Sequence, residues 1–166
     1  MTRFACFLTA LLAINNSYAE NNVVLVEELN WFDKNHLNEQ VEKIDEMTRI
    51  GLGLQVHGDK RDIQTLQRVI HRGLIEKDDE LTQQALGVVL GNVMVNELGL
   101  EWKHYVDRYG RSRAACVPET QECLFPVTML SRRMKVGLMP NVDKIYTEAS
   151  ALIVHLLPKS PYHVDE

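Results

Sequence analysis

Three carboxylates, Glu97, Glu101 and Asp107, sit close together and are interleaved with the rings of Trp102, Tyr105 and Tyr109. Paired acids beside aromatic rings are what sugar hydrolysis requires: one carboxyl kept neutral to protonate the leaving oxygen, the other ionised as base or nucleophile. The same residues also read as plain structure. Glu97 lies at the end of a helical pattern, Asp107 begins a turn, and the rings fill the inside of a hairpin. The structural reading is preferred and no residue is assigned catalysis; if a catalytic pair exists, it is Glu101 and Asp107.

The basic residues are more unevenly spread. Residues 101–137 hold Lys103, Arg108, Arg111, Arg113, Arg132, Arg133 and Lys135 against four acids, a net +3, whereas residues 20–100 hold eight basic and fifteen acidic side chains, a net −7. Guanidinium groups present forked donors that match carboxylates and phosphates. Arg108, Arg111, Arg113, Arg132 and Arg133 are therefore the candidate binding residues, suited to an envelope protein or an anionic cell-wall component. A charge run also arises as a merely solvated face, and pairing of Arg132 and Arg133 with acidic helices is the competing expectation.

Other chemistries lack their signatures. His36, His57, His71, His104, His155 and His163 form no H-E-x-x-H, no His-x-His and no helix-spaced pair with an acidic third ligand. There is no Gly-x-Ser-x-Gly and no phosphate-binding glycine loop, and Gly51-Leu52-Gly53 lacks both the preceding strand and the third glycine of a dinucleotide fingerprint. No metal and no cofactor is expected.

The compartment is read from the first nineteen residues. Arg3 supplies a positive start, Phe4 to Ile14 is apolar, and Ser17-Tyr18-Ala19 places small residues where a signal peptidase reads. An apolar run of about eleven residues is short of the roughly 20 a membrane span needs, so cleavage after Ala19 is expected, with Cys6 discarded and no stable membrane insertion afterwards. Removing nineteen of the 166 residues leaves 147, with seventeen basic and twenty-three acidic side chains and a net charge of −6. That balance argues against nonspecific nucleic-acid binding. The expected location is periplasmic or secreted. In an oxidising compartment the remaining pair, Cys116 and Cys123, is expected to form a disulfide across a hairpin end around Pro118-Glu119-Thr120.

The elements that must position these groups follow from apolar spacing. Leu37, Val41, Ile44 and Met47 mark an amphipathic helix ending near Gly51 and Gly53, while residues 20–31 stay open between a strand and a docking arm. Asp59 is a candidate cap for a helix from about Lys60 to His71, with Ile63, Leu66, Val69 and Ile70 buried. Asp78 or Asp79 opens a third helix, Glu80 to Leu98, apolar on nearly every side and therefore central; Gly87 and Gly91 share one of its faces, where another backbone can approach closely. After Gly99 come a strand, a turn at Asp107-Arg108-Tyr109-Gly110, a second strand through Cys116 and a third near Glu122–Phe125. Thr128 is a candidate cap for a short basic helix to Lys135. A last helix spans about Val142 to Leu157 with Ile145, Ala149, Leu152, Ile153 and Leu156 inward. The expected class is α+β: a helical N-terminal half, a three-stranded antiparallel hairpin sheet and C-terminal helices, in one domain over 20–166.

Four segments carry a family resemblance: Gly58-Asp59 with Leu66-Gln67-Arg68-Val69-Ile70, ALGVVLGNVMVNELGLEW at 85–102, YVDRYGRSRA at 105–114 and LFPVTMLSRRMKVG at 124–137. The block 54–146 resembles the bacterial family known as domain of unknown function 3806. The resemblance implies a small bacterial α+β domain and brings no catalytic residue; the cysteine pair lies outside the pattern.

The functional expectation is a noncatalytic exported binding module that uses its Arg-rich hairpin face. A small envelope hydrolase of glycan or peptide is the alternative, resting on Glu101 and Asp107, and an immunity-type inhibitor of a toxin is a third.

Overall fold

The computed structural model describes residues 23–157. The expected signal segment and its expected cleavage point fall outside the described residues. The chain runs β1 (Leu25–Glu28), α1 (Trp31–Leu52), α2 (Arg61–His71), α3 (Glu80–Leu98), β2 (Glu101–Asp107), β3 (Gly110–Cys116), β4 (Cys123–Leu124), α4 (Pro126–Lys135) and α5 (Val142–Ile153), closing with a 3₁₀ turn at Val154–Leu156. The protein is α+β, with an antiparallel sheet in the order β1-β2-β3-β4.

Helix α3 is the centre. Asp79 caps it by accepting the Thr82 N–H at 3.0 Å, and Gly99 ends it in the left-handed region at φ 67°. Along its length Leu86, Val89, Leu90, Val93 and Met94 are fully buried, so the all-round apolar pattern marks a helix enclosed by its neighbours. The two glycines are where the closest neighbours sit. A Cβ on Gly87 would lie 2.5 Å from the Pro126 carbonyl oxygen and 2.7 Å from Val127 Cα, and one on Gly91 would lie 2.3 Å from the Trp102 ring. The glycines let α4 and β2 press directly onto α3.

Helix α1 starts six residues before Leu37. Asn30 caps it by accepting the Asp33 N–H at 3.0 Å, but Trp31 and Phe32 face solvent, so the first turn gives no apolar periodicity to read. Lys60, not Asp59, holds the cap position of α2, although Asp59 still accepts the Arg61 N–H at 2.9 Å. The Arg61 side chain on the same carboxylate holds its pKa at about 2. Asp62, fully buried, accepts the N–H groups of His57 and Gly58 and ties the preceding loop to α2.

The sheet has one strand more than expected. The segment before α1 is a strand whose residues Leu25 to Glu28 pair with Val106 to Lys103 of β2. Strands β2 and β3 pair along all seven residues, from Glu101↔Cys116 to Asp107↔Gly110. β4 is only two residues long, opposite Ala115 and Cys116, because the next residue but one is Pro126, which has no N–H for a ladder and instead opens α4 at its first position. Thr128 therefore lies inside α4 and does not cap it. The disulfide Cys116–Cys123 joins β3 to β4 with Cα atoms 4.0 Å apart. At the other end α5 stops at Ile153, and Leu152, 68% exposed, is not part of its buried stripe of Val142, Ile145, Tyr146, Ala149 and Ile153.

Candidate functional site

Alternation along β2 and β3 decides what faces α1 and α3. Trp102 packs on Gly91 and donates from Nε1 to Asn92 Oδ1 at 2.8 Å, so its side of the sheet faces the helices. His104 and Val106 share that side by the two-residue period, as do their partners Arg113 and Arg111 on β3 and Glu27 on β1. Into this row projects Asp33 from the first turn of α1, where the helix dipole favours a negative charge. His104 Nε2 lies 2.8 Å from Asp33 Oδ2, and Arg113 Nε lies 3.6 Å from Asp33 Oδ1. Arg111 reaches across to Glu27 Oε2 at 2.6 Å.

His104 is 4% exposed, and its Nδ1 has no hydrogen-bond partner among the described residues. Burial pushes the Asp33 carboxyl up, but the His104 hydrogen bond and the charges of His104, Arg113 and Arg111 outweigh it and hold the group below the ordinary aspartate value. Asp33 is thus an anion fixed between a ring and a guanidinium.

Beside this cluster runs a groove of about 680 Å³. One wall is β3 at Arg111, Ser112 and Arg113; the other is the start of α4, with Val127, Thr128 and Arg132, following Phe125. Asp33 and His104 line it together with Gln84 of α3, and Asp107 and Tyr109 stand at the hairpin end. Tyr105 and Phe125 meet edge to face at 5.1 Å.

The five candidate arginines divide three to two. Arg111, Arg113 and Arg132 line the groove; Arg132 is exposed, and among the described residues no carboxylate lies within ion-pair distance of it. Arg108 is at the hairpin tip, its guanidinium 4.6 Å from the centre of the Tyr109 ring, and Arg133 donates to the Met129 carbonyl at 2.6 Å on the outer side of α4. The candidate acids separate. Glu101 and Asp107 occupy opposite ends of β2, about 20 Å apart at the usual strand rise. Glycosidase carboxyls stand roughly 5 to 9.5 Å apart, so these two do not flank one bond. Glu101 pairs with Lys103 at 2.8 Å, Glu97 with Lys60 at 3.6 Å, and Asp107 accepts the Tyr109 N–H at 2.8 Å within the turn.

Asp33 and His104 are the site residues that sequence reasoning missed. Seventy-one positions separate them, and β1 and α1 had to be placed before either had a partner. The available signal was parity: His104 is the one polar residue between Trp102 and Val106 on the inward side of β2. Among the described residues no group of His, Cys, Asp and Glu could hold a metal ion, and no helix is long and apolar enough to cross a membrane.

A family model described as a domain of unknown function, DUF3806, matches residues 62–146, which runs from α2 into α5 and includes both walls of the groove. A crystal structure from Bacteroides thetaiotaomicron VPI-5482, solved at 1.50 Å, is similar with a TM-score of 0.69 at 21% identity. The alignment covers 80% of this chain and 48% of that one, so the chain spans about half of that relative's length, and at this identity the likeness concerns the fold. No curated relative matches the chain.

Proposed function

The chain belongs to the DUF3806 family, whose name assigns no chemistry, and on the geometry of its β3–α4 groove we propose that it is a noncatalytic binding module that grips an anionic partner in the cell envelope. The observation that carries this reading is the convergence of Arg111, Arg113 and Arg132 on one groove, with Arg132 the cation that, among the described residues, is left over after Glu27 and Asp33 have taken the other two. An unpaired guanidinium at a groove wall offers two parallel donors to a carboxylate or phosphate at little desolvation cost.

Export is part of the proposal. It rests on the composition of residues 1–19, and the Cys116–Cys123 disulfide supports it, since such bonds persist in oxidising compartments. A noncatalytic role is supported by the separation of Glu101 from Asp107.

Mild crosslinking in the native envelope, with the attached species identified by mass spectrometry, tests the reading. A specific partner linked beside the groove in the wild type and lost in Arg132→Glu is the expected result. Equal recovery with both proteins would overturn it.

A further inference from the structure

The β3 strand is paired on both sides only where β4 accompanies it. Its partner β2 runs its full length, but β4 ends after Leu124, so Gly110 to Ala114 have a strand on one side and the groove on the other. The direction of the open groups follows from alternation. Val117 donates its N–H to the Glu122 carbonyl on the β4 side at 2.9 Å, so the backbone groups of Ala115, Arg113 and Arg111 point the same way, while those of Ala114, Ser112 and Gly110 serve β2. β4 does not reach opposite Arg111 or Arg113, and among the described residues no turn or loop bonds their N–H and C=O.

A bare edge of this kind is normally blunted by charged side chains, proline or a covering element. Here the charged side chains project from the helix-facing side of β3 and not along its edge. Arg111 is tied to Glu27 of β1 and Arg113 to Asp33 of α1, so both guanidinium groups are already engaged on that side. Proline is present, but in the neighbour: Pro126 turns the chain into α4, and among the described residues no strand continues beside β3 beyond Leu124.

We infer that this lane receives an extended segment of another polypeptide, which adds as a strand beside Arg111 and Arg113 and places a carboxylate side chain on Arg132. The inference rests on the binding reading above and names the partner's class. Successive residues of an added strand face opposite sides. One set turns toward the helices, where Val127, Thr128 and Arg132 line the wall; the other turns toward the half-buried rings of Phe125 and Tyr105. Main-chain bonds to two open residue positions supply affinity without regard to sequence, and the Arg132 wall selects for an acid among apolar or β-branched neighbours. A glycan could use the guanidinium but could not satisfy the alternating N–H and C=O groups of a strand edge in register.

The test uses the full chain as delivered by the exporting cell, disulfide intact, and a phage-displayed library of random twelve-residue peptides as probe. Selected peptides are synthesised and bound to the isotopically labelled protein while amide hydrogen exchange is followed. The expected result is a consensus with an acidic residue among β-formers, slowing of the Arg111 and Arg113 amides by tenfold or more, and weakening by about tenfold or more in Arg132→Glu. Proline at alternate peptide positions should abolish binding. Because Arg132 is an exposed helix residue, its variant reports on the groove and not on folding; Arg133→Glu, on the outer side of α4, serves as the control. Peptides that protect other amides would overturn the inference, as would amides at Arg111 and Arg113 already protected by self-association in the free protein. If selection yields nothing while envelope crosslinking still depends on Arg132, the strand inference falls and the binding reading stands. If neither depends on Arg132, both fall.

Discussion

His104 Nε2 and Asp33 Oδ2 lie 2.8 Å apart and join the middle of β2 to the first turn of α1. Asn30 and Asp33 begin α1 and His104 stands beside Arg113, so this contact ties the start of α1 to the sheet where both residues line the groove.

Replacing Asp33 with asparagine removes a charge-assisted bond to a nearly buried ring and should cost about 1.5 to 3 kcal/mol at neutral pH. The pH dependence has a definite sign. The folded-state pKa of Asp33 lies below its ordinary value, so its contribution is fully present above the unfolded value of about 4 and is lost as pH falls through the lower folded value. Denaturant titrations of wild type and Asp33→Asn should therefore differ above about pH 4 and converge below it. A difference that grows in acid would remove the assignment.

Gly87 and Gly91 give a prediction about packing. At Gly87 the obstructing atoms are backbone, the Pro126 and Val127 carbonyl oxygens and Val127 Cα, and α4 cannot yield without shifting as a body; at Gly91 they are the Trp102 ring and the Pro126 ring. Both alanine variants should lose about 1 to 3 kcal/mol to overpacking despite alanine's better helix propensity, with Gly87→Ala the worse. Urea midpoints compare them directly. An unchanged midpoint for Gly87→Ala would mean that the α3–α4 contact is looser than 2.5 Å implies.

These two cases show what the sequence could and could not reveal. Spacing within one segment was enough for α3, whose boundaries came out at Glu80 and Leu98, and for the closeness of approach at Gly87 and Gly91, because four-residue spacing alone puts both on one face. The disulfide is expected from the export reading of residues 1–19 and from a short separation, and Cys116 and Cys123 are joined. The first turn of α1 was hidden because Trp31 and Phe32 are exposed, and Leu152 misled because an apolar residue at helical spacing can still face water. The arginine cluster was visible as composition, yet only the register of β2 against β3 separates Arg111 and Arg113 from Arg108. Parity along β2 marks His104, but its pairing with Asp33 was beyond reach, since no local pattern names one as the partner of the other.

The disulfide should matter modestly. A loop of about eight residues constrains the unfolded chain by roughly 2.5 kcal/mol on the loop-entropy estimate, and shorter loops give less than longer ones. The double variant Cys116→Ser, Cys123→Ser should fold, with an unfolding free energy from urea titration lowered by that amount or less, since Val117 also holds β4 through Glu122 at 2.9 Å. Complete unfolding of the variant at 25 °C would show that the β3–β4 corner depends on the covalent link far more than the loop entropy allows.

Arg132 offers the sharpest separation of stability from binding. Its guanidinium is exposed and makes no ion pair among the described residues, so Arg132→Glu should change folding stability by no more than about 0.5 kcal/mol. Arg113→Gln is the instructive contrast, since it removes a partner from Asp33 and should lower stability as well as affinity. Measured side by side, the two variants should weaken capture of the proposed anionic partner together while only Arg113→Gln shifts the urea midpoint. If Arg132→Glu destabilises the protein as much as Arg113→Gln does, then Arg132 is holding α4 in place and the groove's free cation is a structural one.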